Sequence, residues 1–282
     1  MTVKRPARLY KSVNARSSPG TMIKPGELID VVEMSPLTLT DRRTYNLLIS
    51  NAWEAIDKPG KHVIAKRELR GLHESNDRIG ESVERLMTAF ARVYTQIDGK
   101  PAIERAQLLG PTTEARAADG KLYYSFSDEM RAIIRNSNIF ARLRRDVIFA
   151  LSSKYALALY EIIQKRGNLD WKHSEELDIE QFRQLLNVEP GKLRQFKHLN
   201  ARAIQPAVLE VKALSDFGCS VEPVLAGRKV VKVRLSWWLK NTDELKAAYR
   251  ELRDAKVGRR SRLRGTVEVV YPRDLTPSLK AG

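Results

Sequence analysis

The sequence predicts an α+β protein: two tandem winged-helix domains, each a three-helix core with a β-hairpin wing. Three observations carry that expectation. The order helix, short helix, longer helix, two strands occurs twice along the 282 residues. Hydrophobic residues make up 43% of the chain and charged residues 30%, enough apolar material for two cores of ordinary size. The formal net charge is +16, and a balance this basic points to a polyanionic partner, most commonly nucleic acid.

Residues 1–25 carry Lys4, Arg5, Arg8, Lys11, Arg16 and Lys24, no acid, and the run Ser17-Ser18-Pro19-Gly20. They read as a flexible basic arm. The first domain is expected over residues 26–145. In LTLTDRRTYNLLISNAWEAI, Tyr45, Leu47, Leu48 and Ala52 interleave with Arg43 and Asn46, an amphipathic helix starting near Thr40 or Asp41. A short helix is expected around Lys66 to Leu72. From an N-cap at Ser75 or Asn76, DRIGESVERLMTAFARVYTQI reads as one longer helix with Ile79, Val83, Leu86, Met87, Phe90 and Val93 on one face. Strands are expected around residues 106–109 and 121–126, joined by GPTTEARAADG. The apolar runs Ile79 to Val93 and Leu122 to Phe126 exceed what one small winged helix must bury, which makes this domain the expected dimerisation surface.

The second domain is expected over residues 146–250. RDVIFALSSKYALALYEIIQKR reads as a helix broken near Ser152 and Ser153, with Tyr155, Leu159, Ile162 and Ile163 inward. LDIEQFRQLLNV supplies a short helix, and Glu189-Pro190-Gly191 a turn. CSVEPVLAGRKVVKVRLSWW reads as a hairpin with a basic tip at Ala226 to Lys229. Residues 251–282 form a basic C-terminal tail holding Lys256, Arg259, Arg260, Arg262 and Arg264, with a short strand at 267–271 as its one ordered candidate.

Between the turn and the hairpin lies GKLRQFKHLNARAIQPAVLEVKAL, Gly191 to Leu214. Phe196, Leu199, Ala203, Ala207, Val211 and Leu214 recur at spacings of three and four, the mark of a buried helix face. Lys197, His198, Ala201, Arg202 and Gln205 fall on the opposite side, and Asn200 lies nearer the apolar side. Pro206 removes a backbone donor, which should free the carbonyl of Arg202 and bend the helix. An isolated helix of this kind would read as the solvated face of a core element. After a short helix and tight turn, before a basic wing, it reads as a recognition helix whose N-terminal half enters the major groove of DNA. The candidate DNA-binding residues are therefore Lys192, Arg194, Lys197, His198, Asn200, Arg202 and Gln205, with Arg228 and Lys229 at the wing tip for phosphate.

Other classes find no support. Cys219 is the only cysteine, so neither an internal disulfide nor a cysteine-rich zinc site can form. His62, His73, His173 and His198 never pair in metal-binding spacing, and no G-x-x-x-x-G-K-[ST] phosphate loop occurs. Neither catalysis nor a cofactor or metal is expected. With no apolar signal region behind the basic start, and no apolar run long enough to span a bilayer, the expectation is a soluble cytoplasmic protein with no membrane partner.

Several segments also resemble a known family. SSKYALALYEII (Ser152 to Ile163), FKHLNARAIQPAVLEV (Phe196 to Val211) and GRKVVKVRLSW (Gly227 to Trp237) are similar to signatures of theta-type Rep proteins, the replication initiators of iteron plasmids. IKPGELIDVVEMSPLTLTDRRTYNLLISNA (Ile23 to Ala52) resembles the opening of their first domain. The resemblance covers roughly residues 23–239. It implies a bacterial, non-enzymatic protein whose second winged helix docks on direct repeats of double-stranded origin DNA. The first would mediate dimerisation and contact the DNA backbone. It further implies a homodimer in equilibrium with monomer, the dimer repressing its own gene at an inverted-repeat operator, and recruitment of the host initiator and replicative helicase. This chain carries Asn200, Ala201 and Arg202 where many members have consecutive arginines, so its repeat should differ. The competing reading is a tandem winged-helix transcriptional regulator with no replication role.

Overall fold

Short polar runs alternate with apolar stripes of helical or strand period, and the computed structural model, which describes residues 11–30, 32–33, 36–70, 76–115, 120–167 and 172–266, shows how they are used. In the first unit the chain passes through β1 (Thr21–Pro25), β2 (Val32–Glu33), α1 (Leu39–Ala52), β3 (His62–Ala65), α2 (Lys66–Leu69) and α3 (Asn76–Thr88). It continues through β4 (Phe90–Ile97), β5 (Lys100–Gln107), β6 (Thr112–Glu114), β7 (Lys121–Tyr124), α4 (Asp128–Asn136) and β8 (Phe140–Arg144). A capping box fixes the start of α1: the Asp41 backbone N–H donates to the Thr38 hydroxyl and the Thr38 N–H to the Asp41 carboxylate. The sheet β3-β7-β6, packed behind α1, α2 and α3, is the winged helix itself.

Three expectations need correction here. The helix from residue 76 stops at Thr88, and Phe90 and Val93 belong to β4. FARVYTQI is aromatic and β-branched, and it runs into Asp98-Gly99, whose φ values of 52° and 73° make the left-handed turn of a tight hairpin. Residues 100–107 accordingly pair with β4, and the first wing strand is β6, not 106–109. Second, the apolar runs of this domain are mostly consumed by its own core: Ile79, Val83, Leu86, Leu122, Tyr124 and Phe126 are all buried. Third, the arm is not loose up to residue 25. β1 pairs antiparallel with β8, Met22 and Ile23 are buried, and Trp53 Nε1 donates to the Ala15 carbonyl at 2.8 Å. Lys4, Arg5 and Arg8 lie outside the described residues.

The second unit comprises α5 (Arg145–Ala150), α6 (Lys154–Arg166), β9 (Ser174–Asp178), α7 (Ile179–Leu185), α8 (Phe196–Leu199), a π-helical turn (Asn200–Ile204) and α9 (Gln205–Leu214). The wing follows as β10 (Phe217–Ala226) and β11 (Lys229–Leu239). The helical run is interrupted at 151–153, where expected, because the Ser153 hydroxyl caps α6 by accepting from the Ala156 N–H. β9 was not expected from SEELD, which carries three acids. It is held by pairing with β11, including an Arg234–Glu176 ion pair at 2.9 Å, and hides only Leu177. The sheet order β10-β11-β9 repeats the order β6-β7-β3 of the first unit. The C-terminal tail is also corrected as far as residue 264: α10 (Thr242–Arg253) and α11 (Arg259–Leu263) fold back on the second unit. Arg259 is buried, bonded to Glu251 and the Ala150 carbonyl, and Arg260 reaches Glu210 at 3.2 Å. Those arginines are neutralised internally. The short strand expected at 267–271 lies outside the described residues.

One apolar core runs through both units, from Met22 and Leu48 to Leu177, Val211 and Trp237. Helix α6 is its strut, packed on β8 on one side and α9 on the other.

Candidate nucleic-acid interface

The long helix of the second unit is built outward from its apolar stripe. Leu199, Ala203, Ile204, Ala207, Val208, Val211 and Leu214 are buried, and the side chains of Lys197, His198, Ala201, Arg202 and Gln205 are exposed on the other side. Lys192 and Arg194 are exposed in the preceding turn, and Asn200 is half-buried. Arg183 of α7, itself buried, braces that turn: its guanidinium donates to the Leu193 carbonyl at 2.7 Å and to the Lys192 carbonyl at 2.5 Å. Both turn residues Gly191 (φ 80°) and Leu193 (φ 49°) are left-handed, a backbone that needs such a brace at a leucine. Arg183 escaped the sequence reading, since nothing in QFRQLL separates a brace from a solvated arginine. Arg228 and Lys229 sit exposed at the tip of the β10–β11 hairpin, where Gly227 (φ 60°) permits a two-residue loop. All nine candidates thus belong to one helix, the turn before it, and one hairpin tip.

The bend expected at Pro206 takes a specific form. The N–H of Gln205 reaches back to the carbonyl of Asn200, one residue further than an α-helix allows, so residues 200–204 form a π-turn. The side chains at its two ends meet: Gln205 Nε2 donates to Asn200 Oδ1 at 3.2 Å.

The equivalent helix of the first unit is different in charge. On α3, Glu81 and Glu84 are exposed, and Arg85 turns inward to Asp41 at 3.0 Å. With Arg78 exposed beside these two glutamates, α3 carries charges of both signs and not the basic face of the second unit's helix. Among the described residues no three His, Cys, Asp or Glu side chains cluster as metal ligands. Burial pushes the Cys219 thiol up to about 12, which leaves it protonated and unreactive. Among the described residues no helix is long and apolar enough to cross a membrane.

The twice-repeated helix, strand, helix, helix, wing order defines a tandem winged-helix protein. The family model described as "Initiator Replication protein, WH1" matches residues 21–164, and that described as "Initiator Rep protein, WH2" matches residues 178–237. The chain belongs to the initiator Rep protein family. Its fold is similar to the crystal structure of Pi initiator protein in complex with iteron DNA, with a TM-score of 0.55 at 16% identity over 79% of this chain and 98% of that one. Domains 2 and 3 of RctB align with a TM-score of 0.42 at 13% identity, over 71% of this chain and 82% of that one. No curated protein matches the chain.

Proposed function

We propose that this chain is a cytoplasmic bacterial plasmid replication initiator that binds direct repeats, or iterons, of double-stranded origin DNA, without catalytic activity. The observation that carries the reading is the exposed basic face of Lys197, His198 and Arg202 opposite a buried, mostly apolar one, on the helix that follows the braced turn of the second winged helix. That helix enters the major groove. Lys192 and Arg194 at its approach, and Arg228 and Lys229 on the wing, hold phosphates and so set register. The first unit adds backbone contacts elsewhere and supplies the dimer surface. Binding of several copies to adjacent repeats strains the neighbouring A·T-rich duplex, promotes its opening, and gathers the host initiator and replicative helicase there. As a homodimer the same chain covers an inverted-repeat operator and represses its own gene.

Footprinting the full-length protein on the DNA flanking its gene tests this. Protection of several direct repeats beside an A·T-rich tract is expected. Protection of a lone inverted repeat alone would instead make the chain a transcriptional regulator.

A further inference from the structure

The π-turn in the recognition helix creates a contact that an α-helix could not. At about 100° per residue, side chains five apart on an α-helix point roughly 140° away from each other. Here residues 200 and 205 touch, because the wider turn between them, lying just before the donor-less Pro206, rotates Gln205 back over Asn200. Asn200 is half-buried, whereas Gln205 is exposed on the face shared with Arg202. Asn200 is thus the fixed partner and Gln205 the outer one.

In this contact one hydrogen of the Gln205 NH2 group goes to Asn200 Oδ1. The other hydrogen and the carbonyl oxygen remain, a donor and an acceptor on the same amide. Adenine offers the complementary pair in the major groove, N7 as acceptor and the N6 amino group as donor. Guanine offers O6 where adenine has the amino group, and would set two acceptors against each other.

We infer that the π-turn makes Asn200 a positioning residue which locks Gln205 to read one adenine of the recognition sequence. This inference rests on the DNA-reading role proposed above. Asn200 touches no base. It fixes the amide of the residue that does.

The test uses the full-length chain and a duplex that it selects from a random pool. Each adenine of that duplex is replaced in turn by 7-deazaadenine, which removes the N7 acceptor. Wild-type protein should lose roughly tenfold in affinity at a single adenine. In Gln205→Ala that penalty should vanish, and in Asn200→Ala it should fall to less than half. Pro206→Ala, which restores the backbone donor and with it the α-helical register, should reduce the penalty in the same way. A purely structural role for Asn200 would weaken modified and unmodified duplexes by one common factor and leave the penalty intact, which would overturn the inference. Wild-type protein that reads its duplex with no 7-deaza penalty anywhere overturns it too. Failure to select any preferred duplex would refute the DNA-reading role itself.

Discussion

Lys24 of β1 and Glu161 of α6 form an ion pair at 3.0 Å with both side chains buried, joining the start of the first unit to the central strut of the second. Arg42 of α1 reaches the same carboxylate at 2.8 Å and Asn46 donates to it at 2.7 Å. Burial alone would raise the Glu161 pKa. The two cations and the Asn46 amide outweigh it and hold the group below the ordinary carboxylate range. Removing the carboxylate takes from Lys24 and Arg42 a buried charge that both pair with. Glu161→Ala should therefore cost about 3–5 kcal/mol, measured by chemical denaturation of the whole chain. A loss of less than about 1 kcal/mol, the range of a surface pair, would show that this cluster does not weld the units.

The acid limb of stability should expose a second tie. Burial pushes the Asp41 carboxyl up, but Arg85, the Thr38 N–H and the capping box bring it net below its free value of 3.8. A depressed carboxylate stabilises the fold above its unfolded pKa and loses that contribution as pH falls through the folded one. Arg85→Gln removes the main compensation and leaves the desolvation. The acid-unfolding midpoint of the variant should move to higher pH, read by far-ultraviolet circular dichroism between about pH 5 and 2. An unmoved midpoint would assign the α1–α3 tie to apolar contact alone.

Dimerisation should depend on the β4–β5 hairpin, the part of the first unit with apolar surface to spare. Phe90 and Ile103 are each 45% exposed on it, while Ile79, Val83, Leu86, Leu122, Tyr124 and Phe126 are buried in the monomer. β5 is also the outer strand of the sheet β2-β4-β5 and presents an unpaired edge. Ile103→Glu in the full chain should shift sedimentation toward the monomer at concentrations where wild type associates. Persistent association of the variant would place the dimer surface elsewhere.

Helices α1, α6, α7 and α9 and the second wing are legible because their signals are local, whereas α4, α10 and α11 are not among the expected elements. Leu199, Ala203, Ala207 and Val211 spell a helical stripe, and Ala226-Gly227-Arg228 a turn between strands. The Asp98-Gly99 pair is a local turn signal that the expected helix passes over, because Phe90 and Val93 extend the apolar spacing of α3 by chance and a 3.6 period fits that stretch as well as a 2 period. β9 was hidden for another reason: SEELD becomes a strand only through the cations of β11. Glu161, Arg183 and Arg259 look like solvated charges in the sequence, and their roles are set by partners up to 137 residues away. The nine candidate contacts came from one face and one tip, but the Asn200–Gln205 contact depends on a π-turn that periodicity cannot show.

Reading and holding should separate between Arg202 and Arg228. Arg202 is exposed on the long helix, within the π-turn and on the face that carries Gln205. There its fork can meet O6 and N7 of a guanine, the commonest specific contact in the major groove. Arg228 stands at a hairpin tip, where contact with phosphate is expected and would carry little sequence information. Arg202→Ala should cost about 1–3 kcal/mol on the cognate repeat and little on random duplex. Arg228→Ala should weaken both alike. The salt dependence gives an independent readout. Each neutralised phosphate contributes about −0.9 to the slope of log affinity against log salt, so the wild-type slope should be steeper than roughly −3. Arg228→Ala should flatten it by about one unit. Titrating both variants on both duplexes across one salt series decides the matter. If Arg202→Ala weakens cognate and random DNA equally, the helix grips the backbone and the sequence is read by other side chains.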